Sequence, residues 1–175
     1  MIGLLRFVGL INAAVWFGSA VFFSFDASPA AASSDMQELL SWKNYPYFSV
    51  AIEQLLAARF FHLYVACSIV ALLHLLAEWL YLGKYPQRLW LGLLLGLCLG
   101  GLVQVYAIQP RLSASHQLQF TRPDLRETAA RVYRAWHAVS TGLDVVLIAG
   151  LVVYVWRVAY PPDPTRFVNA AKFRS

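Results

Sequence analysis

Charged side chains are scarce in this sequence, since Asp, Glu, Lys and Arg make up only 13% of its 175 residues. A soluble domain usually carries about a quarter of charged residues. Hydrophobic residues account for 59% of the chain, and its mean hydropathy is +0.57. A soluble helical protein would need polar faces on its helices, and the long apolar runs here lack them. The composition therefore predicts an integral membrane protein.

Cysteines and catalytic motifs are also scarce. Cys67 and Cys98 both lie inside apolar runs, and no CxxC or Cys/His spacing indicates a zinc site. The chain contains no G-x-S-x-G, no P-loop, no H-E-x-x-H and no carboxylate pair spaced for acid–base chemistry. We therefore predict a protein that is not an enzyme, and no motif predicts a cofactor. The net charge of +5 does not indicate nucleic-acid binding, because the basic residues flank the apolar runs.

Four apolar runs are long enough to cross a bilayer as helices. They predict an all-α, antiparallel four-helix membrane bundle at 1–160, with spans at about 4–25, 60–81, 89–108 and 138–158, followed by a basic tail at 161–175. The first run also has features of a secretory signal, but its length favours a span. Helical patterning at 49–81 covers about 50 Å, and a hydrocarbon core is about 30 Å thick. We therefore expect helices to extend beyond the bilayer on one side.

Two prolines predict irregularities in this layout. We expect a turn at 45–47, around Pro46, and an end or kink of the third span at Pro110. The two long connections lie on one side of the membrane, and the termini and the short connection at 82–88 lie on the other. Lys and Arg are equally divided between the sides, but short loops weigh most in the positive-inside rule. We expect a bacterial inner-membrane protein with cytoplasmic termini.

Small residues predict where helices approach closely. Gly92, Gly96 and Gly100 recur every fourth residue in the third span, and Ala14 and Gly18 have the same spacing in the first. Small residues let membrane helices pack backbone to backbone. We expect these positions to pack helices, and the partners to be lipid together with other membrane subunits or further copies of the chain.

Polar residues within spans predict one cluster near the long-connection side. Positions 137, 140, 141 and 144 share one helical face, and positions 62 and 104 lie at a similar depth. The candidate cluster consists of His62, Gln104, His137, Ser140, Thr141 and Asp144. One interpretation is a site for a proton, a metal ion or a polar headgroup. The other is a structural hydrogen-bond network, in which Asp144 needs a partner.

Histidines in helix bundles can also ligate haem or chlorophyll. His62 and His137 are the pair placed for a bis-histidine haem, and His74 is a candidate for a single pigment. No supporting motif accompanies them. His74 and Glu78 lie four residues apart on one face, and we interpret them as an interfacial pair. Asn12 is a lone polar residue of the first span, which predicts a hydrogen bond between helices.

The first span reads Asn-Ala-Ala-Val-Trp-Phe-Gly at 12–18, with Phe22-Phe23 and Pro29 after it, and the last span opens with Arg-Ala-Trp-His at 134–137. These phrases resemble the transmembrane protein 205-like family, and the four-span layout extends the resemblance over roughly 4–158. The resemblance implies four transmembrane helices and no established catalytic residues. The link of vertebrate members to metal-drug tolerance favours solute or metal handling. The small-residue stretch at 30–34 departs from the family pattern.

Three functions follow from these patterns. The first is a non-enzymatic accessory subunit that packs helices within a larger membrane assembly. The second is a small transporter or a bundle handling metal ions or protons, which would use Gln104, His137 and Asp144. The third is a redox or photosynthetic subunit that ligates haem or chlorophyll.

Overall fold

The computed structural model describes residues 2–82 and 88–160, so the predicted basic tail and most of the short connection lie outside the described residues. Helices account for nearly all of this range. In chain order they are α1 (Ile2–Phe22), a first π-helix (Phe23–Ala27), α2 (Ser28–Ala31), α3 (Ser34–Leu82), α4 (Arg88–Val103), a second π-helix (Gln104–Ile108), α5 (Gln109–Thr121), a short 3₁₀ turn (Pro123–Leu125) and α6 (Arg126–Ala159).

Four helical stretches are long and apolar enough to cross a membrane, namely Leu5–Ala31, Tyr47–Leu80, Arg88–Thr121 and Pro123–Ala159. We call them spanning helices one to four. His74, near the end of helix two, contacts Leu5 at the start of helix one, and Phe60 stacks on Phe23 at the other end. Helices one and two are therefore antiparallel. The predicted all-α membrane bundle of four helices is confirmed.

Helices α3 and α6 are longer than a bilayer requires. The part of α3 that follows Ser41 corresponds to about 61 Å and the 34 residues of α6 to about 51 Å, against about 30 Å of hydrocarbon. A break in α3 lies at Ser41, whose φ of 56° is left-handed. The turn predicted at 45–47 is therefore wrong, and the helix runs through Pro46. Because the helix restarts just after Ser41, this proline lies near its beginning, where it disturbs little backbone hydrogen bonding.

Both π-helices precede a proline. The first ends at Ala27, two residues before Pro29, and the second ends at Ile108, two residues before Pro110. Proline has no N–H to donate and its ring crowds the preceding turn, so the helix widens locally instead of breaking. The irregularity predicted at Pro110 thus takes the form of a π-turn, and α5 continues beyond it.

An aromatic cluster fills the centre of the bundle. The indole of Trp16, on α1, packs edge-on against Tyr64 of α3 and Tyr154 of α6, with ring centroids 5.0 and 5.6 Å away. Trp16 is fully buried, and Tyr64 is only 1% exposed. Large apolar side chains such as Phe7, Leu99 and Val145 lie on the outer faces, which suits contact with lipid tails.

The glycine stripe does not pack as a unit. A methyl group added to Gly100 would overlap the Leu147 side chain, but at Gly92, Gly96 or Gly18 it would meet no atom within 4 Å. Ala14 is exposed as well. The prediction that these positions pack helices therefore fits Gly100 alone within the chain. The buried face of the first helix instead runs through Ala13, Trp16 and Ala20.

Candidate functional site

A polar pocket of about 60 Å³ lies between the four spanning helices, beside both π-helices. Two carboxylates, a histidine and several amides and hydroxyls line it, and none of its described lining residues is Lys or Arg. The lining residues are Phe23, Ser28, Glu53, Gln54, Ala57, Phe61, Gln109, Leu112, Tyr133, His137, Ser140, Thr141 and Asp144. Two carboxyl groups in a pocket inside an apolar bundle are costly, which makes this pocket the candidate site.

Asp144 is held at the wall of this pocket by Gln104. The Gln104 amide donates to Asp144 Oδ1 at 2.8 Å and to the Ser140 carbonyl at 3.2 Å, and the Ser140 hydroxyl donates to Gln104 Oε1 at 3.1 Å. Gln104 is fully buried. The structure therefore brings together three of the six predicted cluster residues in one network that joins helices three and four.

The second carboxylate comes from helix two. The Ser28 hydroxyl, at the start of α2, donates to Glu53 Oε1 at 2.6 Å. The first π-helix places Ser28 next to this carboxylate, much as the second places Gln104 next to Asp144. Each carboxylate thus receives a hydrogen bond from a side chain at a proline-linked π-turn. π-turns are frequent at functional sites.

Two further predicted residues line the pocket without joining the network. Thr141 donates its hydroxyl to the His137 carbonyl at 3.0 Å, within its own helix. The His137 ring lies 5.8 Å from the ring of Tyr133, which also lines the pocket. His137 therefore lines the pocket with a side chain that is otherwise exposed.

His62 is not among the lining residues, and the structure places it elsewhere. Its side chain is exposed, and Nδ1 hydrogen-bonds the Ala58 carbonyl of the preceding turn. The prediction that His62 joins the polar cluster is therefore wrong. His62 and His137 do not meet at this pocket, so the proposed bis-histidine haem has no shared site there.

His74 joins helices one and two. Its Nε2 hydrogen-bonds the Leu5 carbonyl at 2.8 Å, and the ring lies against Gly9, where a side-chain carbon would come within 2.8 Å. This nitrogen is engaged with backbone and is not presented to a pigment. Glu78 interacts electrostatically with Arg157 and Tyr154 of helix four, so it lies near the terminal end of the bundle.

Asn12 makes the hydrogen bond between helices that the sequence predicts. Its amide donates to the Cys67 carbonyl at 3.0 Å, and both residues are buried. This confirmed contact lies on the opposite side of the aromatic cluster from the pocket.

Sequence reasoning missed several pocket residues. It did not include Glu53 in the candidate cluster, although this side chain is half-buried and accepts a hydrogen bond from Ser28. Outside the pocket lining, it also overlooked His116, which is 3% exposed and stacks on Tyr47 with ring centroids 5.4 Å apart. The available signal was Pro29, because a proline after a span predicts irregular backbone where polar groups gather.

The arrangement can bind and exchange protons. Glu53 and Asp144 supply carboxyl groups and His137 an imidazole, and side-chain donors from Ser28 and Gln104 bond to the two carboxyl groups. Within residues 2–82 and 88–160, no group of three or more His, Cys, Asp and Glu side chains is arranged to hold a metal ion.

Comparisons with protein-family models, with curated proteins and with solved structures find no match for this chain. The resemblance to the transmembrane protein 205-like family accordingly stays a prediction.

Proposed function

We propose that this polytopic membrane protein handles protons and that Asp144 is its proton-binding group. The observation that carries the proposal is the Asp144–Gln104 hydrogen bond at the wall of a polar pocket, within a bundle whose outer faces are apolar. Placing an ionisable side chain inside the apolar part of the bundle costs free energy, and such side chains are typical of ion and proton pathways.

The side chains that line the pocket favour the binding of a proton over the binding of an anion. Glu53 and Asp144 both face it, and no Lys or Arg is among its described lining residues. His137, on the same helix as Asp144, offers a second group that can accept a proton. Glu53 and His137 lie toward the protruding ends of their helices, so they are placed between water and Asp144.

Proton flux in proteoliposomes tests this function. The purified full chain is reconstituted with pyranine inside, and a potassium gradient with valinomycin drives proton uptake. We expect uptake in the wild type to exceed that of empty liposomes, and Asp144→Asn to abolish the excess. Asparagine keeps the size of the side chain and can still accept the Gln104 hydrogen bond, so folding should survive.

Glu127→Gln is the matched control, because Glu127 is exposed at the start of α6 and does not line the pocket. It should conduct as the wild type does. The proposal fails if the wild type conducts no faster than empty liposomes, or if Asp144→Asn conducts as fast as the wild type.

We propose as a second candidate that the chain is a non-enzymatic accessory subunit or a homo-oligomer. The observation in its favour is the exposed, open helix face at Gly92 and Gly96, where another helix could approach closely. Native mass in mild detergent tests it: a lone monomer without any co-purifying subunit would exclude this candidate.

The finer location also remains a proposal. We propose a bacterial inner membrane with both termini in the cytoplasm, which a reporter fused after Ser175 tests. A haem or chlorophyll role is tested by visible absorbance of the purified protein, and a colourless, fully loaded preparation would exclude it.

A further inference from the structure

Three polar atoms lie in the middle of the bundle without a hydrogen-bond partner among the described residues. They are the indole nitrogen of Trp16 and the hydroxyls of Tyr64 and Tyr154. All three side chains are at least nine-tenths buried, and each comes from a different helix. A buried polar group that lacks a partner costs free energy, so such groups almost always bond to protein or to bound water.

The three side chains that carry these atoms belong to one cluster. The rings of Tyr64 and Tyr154 both pack edge-on against the same indole, with centroids 5.0 and 5.6 Å from it. A buried water makes on average about three hydrogen bonds. One donor and two hydroxyls on neighbouring rings supply a suitable set of partners.

The cluster also lies between the pocket and the opposite end of the bundle. Along α6, Tyr154 lies about 15 Å beyond Asp144, and along α3, Glu78 lies about 21 Å beyond Tyr64. Asn12 lies next to the Tyr154 hydroxyl, although its amide donates to Cys67.

Positions along α3 show that the polar side chains from Glu53 to Glu78 extend over a distance long enough to cross a hydrocarbon core. Glu53 and Glu78 lie on one uninterrupted stretch of helix, about 37 Å apart, and a hydrocarbon core is about 30 Å thick. Tyr64 lies about 16 Å from the level of Glu53, close to the midpoint. Polar groups thus occur at both ends and in the centre of the apolar layer.

We infer that the cluster of Trp16, Tyr64 and Tyr154 binds internal water and thereby joins the Asp144 pocket to the Glu78 end of the bundle. This inference rests on the proposed function for its role, since the bound water would relay protons. A proton that leaves the Asp144 carboxyl passes to a bound water, which in turn releases a proton toward the Glu78 end, and the Asp144 carboxylate takes its next proton from the pocket. Each cycle thus returns the bound water and Asp144 to their starting charge.

X-ray radiolytic footprinting tests the water itself, independently of any proton flux. Radicals formed from a bound water label the side chains beside it, even when bulk solvent is excluded. In the full chain in nanodiscs we expect labelling of Trp16, Tyr64 and Tyr154, read by mass spectrometry. Absence of label from all three, at a dose that labels the exposed Tyr160, would overturn the inference.

Tyr64→Phe tests the relay, because it removes one hydroxyl and keeps the ring. We expect less label on Trp16 and Tyr154 and a several-fold slower proton flux. Tyr154→Phe is a second variant with the same expectation. Tyr106→Phe is the control, since Tyr106 is exposed on the second π-helix and should change neither readout.

The outcomes separate the two proposals. If the cluster is labelled but the wild type conducts no protons, the water site is supported and the proposed function is contradicted. A wild type that conducts through Asp144, together with unchanged flux in both tyrosine variants, overturns the relay.

Discussion

Replacing Gly101 by alanine tests how tightly helices two and three pack. The added methyl carbon would lie 2.7 Å from Cδ1 and 3.0 Å from Cε1 of Tyr64, where ordinary contacts are about 3.4–4 Å. Tyr64 cannot easily retreat, because it is 1% exposed and its ring packs against Trp16. Either the ring or the helix must therefore shift.

The expected change in the free energy of unfolding results from two opposing effects. Overpacking a tight core costs about 1–3 kcal/mol. Alanine is favoured over glycine within a helix by up to about 1 kcal/mol. The net loss of stability for Gly101→Ala is therefore about 0–3 kcal/mol.

Gly92→Ala supplies the matched control on the same helix. A methyl group there meets no atom within 4 Å, so the helix effect should act alone and raise stability by up to about 1 kcal/mol. The difference between the two variants should then equal the overpacking cost, about 1–3 kcal/mol.

Reversible unfolding in mixed micelles of mild detergent and dodecyl sulfate measures that difference. Equal stability of Gly101→Ala and Gly92→Ala would refute the packing described here. Gly96→Ala extends the control: if Gly92 and Gly96 contact another subunit, both variants should lower the native mass without lowering the stability of the monomer.

Three further predictions use the same unfolding assay. Gly9→Ala should cost about 1–3 kcal/mol, because its methyl group would lie 2.8 Å from the His74 ring, and His74→Ala should remove most of that cost; additive effects would contradict the contact. Asn12→Leu should cost about 0.5–1.5 kcal/mol by removing the hydrogen bond to Cys67, and a more stable variant would show that the bond contributes nothing. Arg111→Ala should cost about 0.5–1 kcal/mol, because its guanidinium lies 4.4 Å from the centre of an indole ring; no change would mean that this cation–π contact is negligible.

The sequence alone determined the environment and the fold class. Apolar runs without charge can satisfy their backbone groups in lipid only as helices or closed barrels, and their length and continuous pattern select helices. Single polar residues such as Asn12 could also be assigned, because an amide within a span needs a partner and a neighbouring helix is the nearest source. The hydrogen bond between Gln104 and Asp144 forms for the same reason.

Tertiary structure alone decided which helix faces meet. Residues four apart differ by about 40° around a helix, so a stripe with that spacing winds about 120° from Gly92 to Gln104. Gly92 is consequently exposed, Gly100 is half-buried and Gln104 is fully buried. The packed face instead follows alternating steps of three and four residues through Leu94, Leu97, Gly101, Gln104 and Ile108.

The pocket, too, was decided by packing. Glu53 and Asp144 lie on different helices, and they share one pocket because α1, α4 and α5 each pack against both α3 and α6, which carry them. The π-turns before Pro29 and Pro110 then place Ser28 and Gln104 against these carboxylates. The spacing of residues along a helix specifies neither contact, because a π-turn changes the helical phase and its position depends on how neighbouring helices accommodate the widened turn.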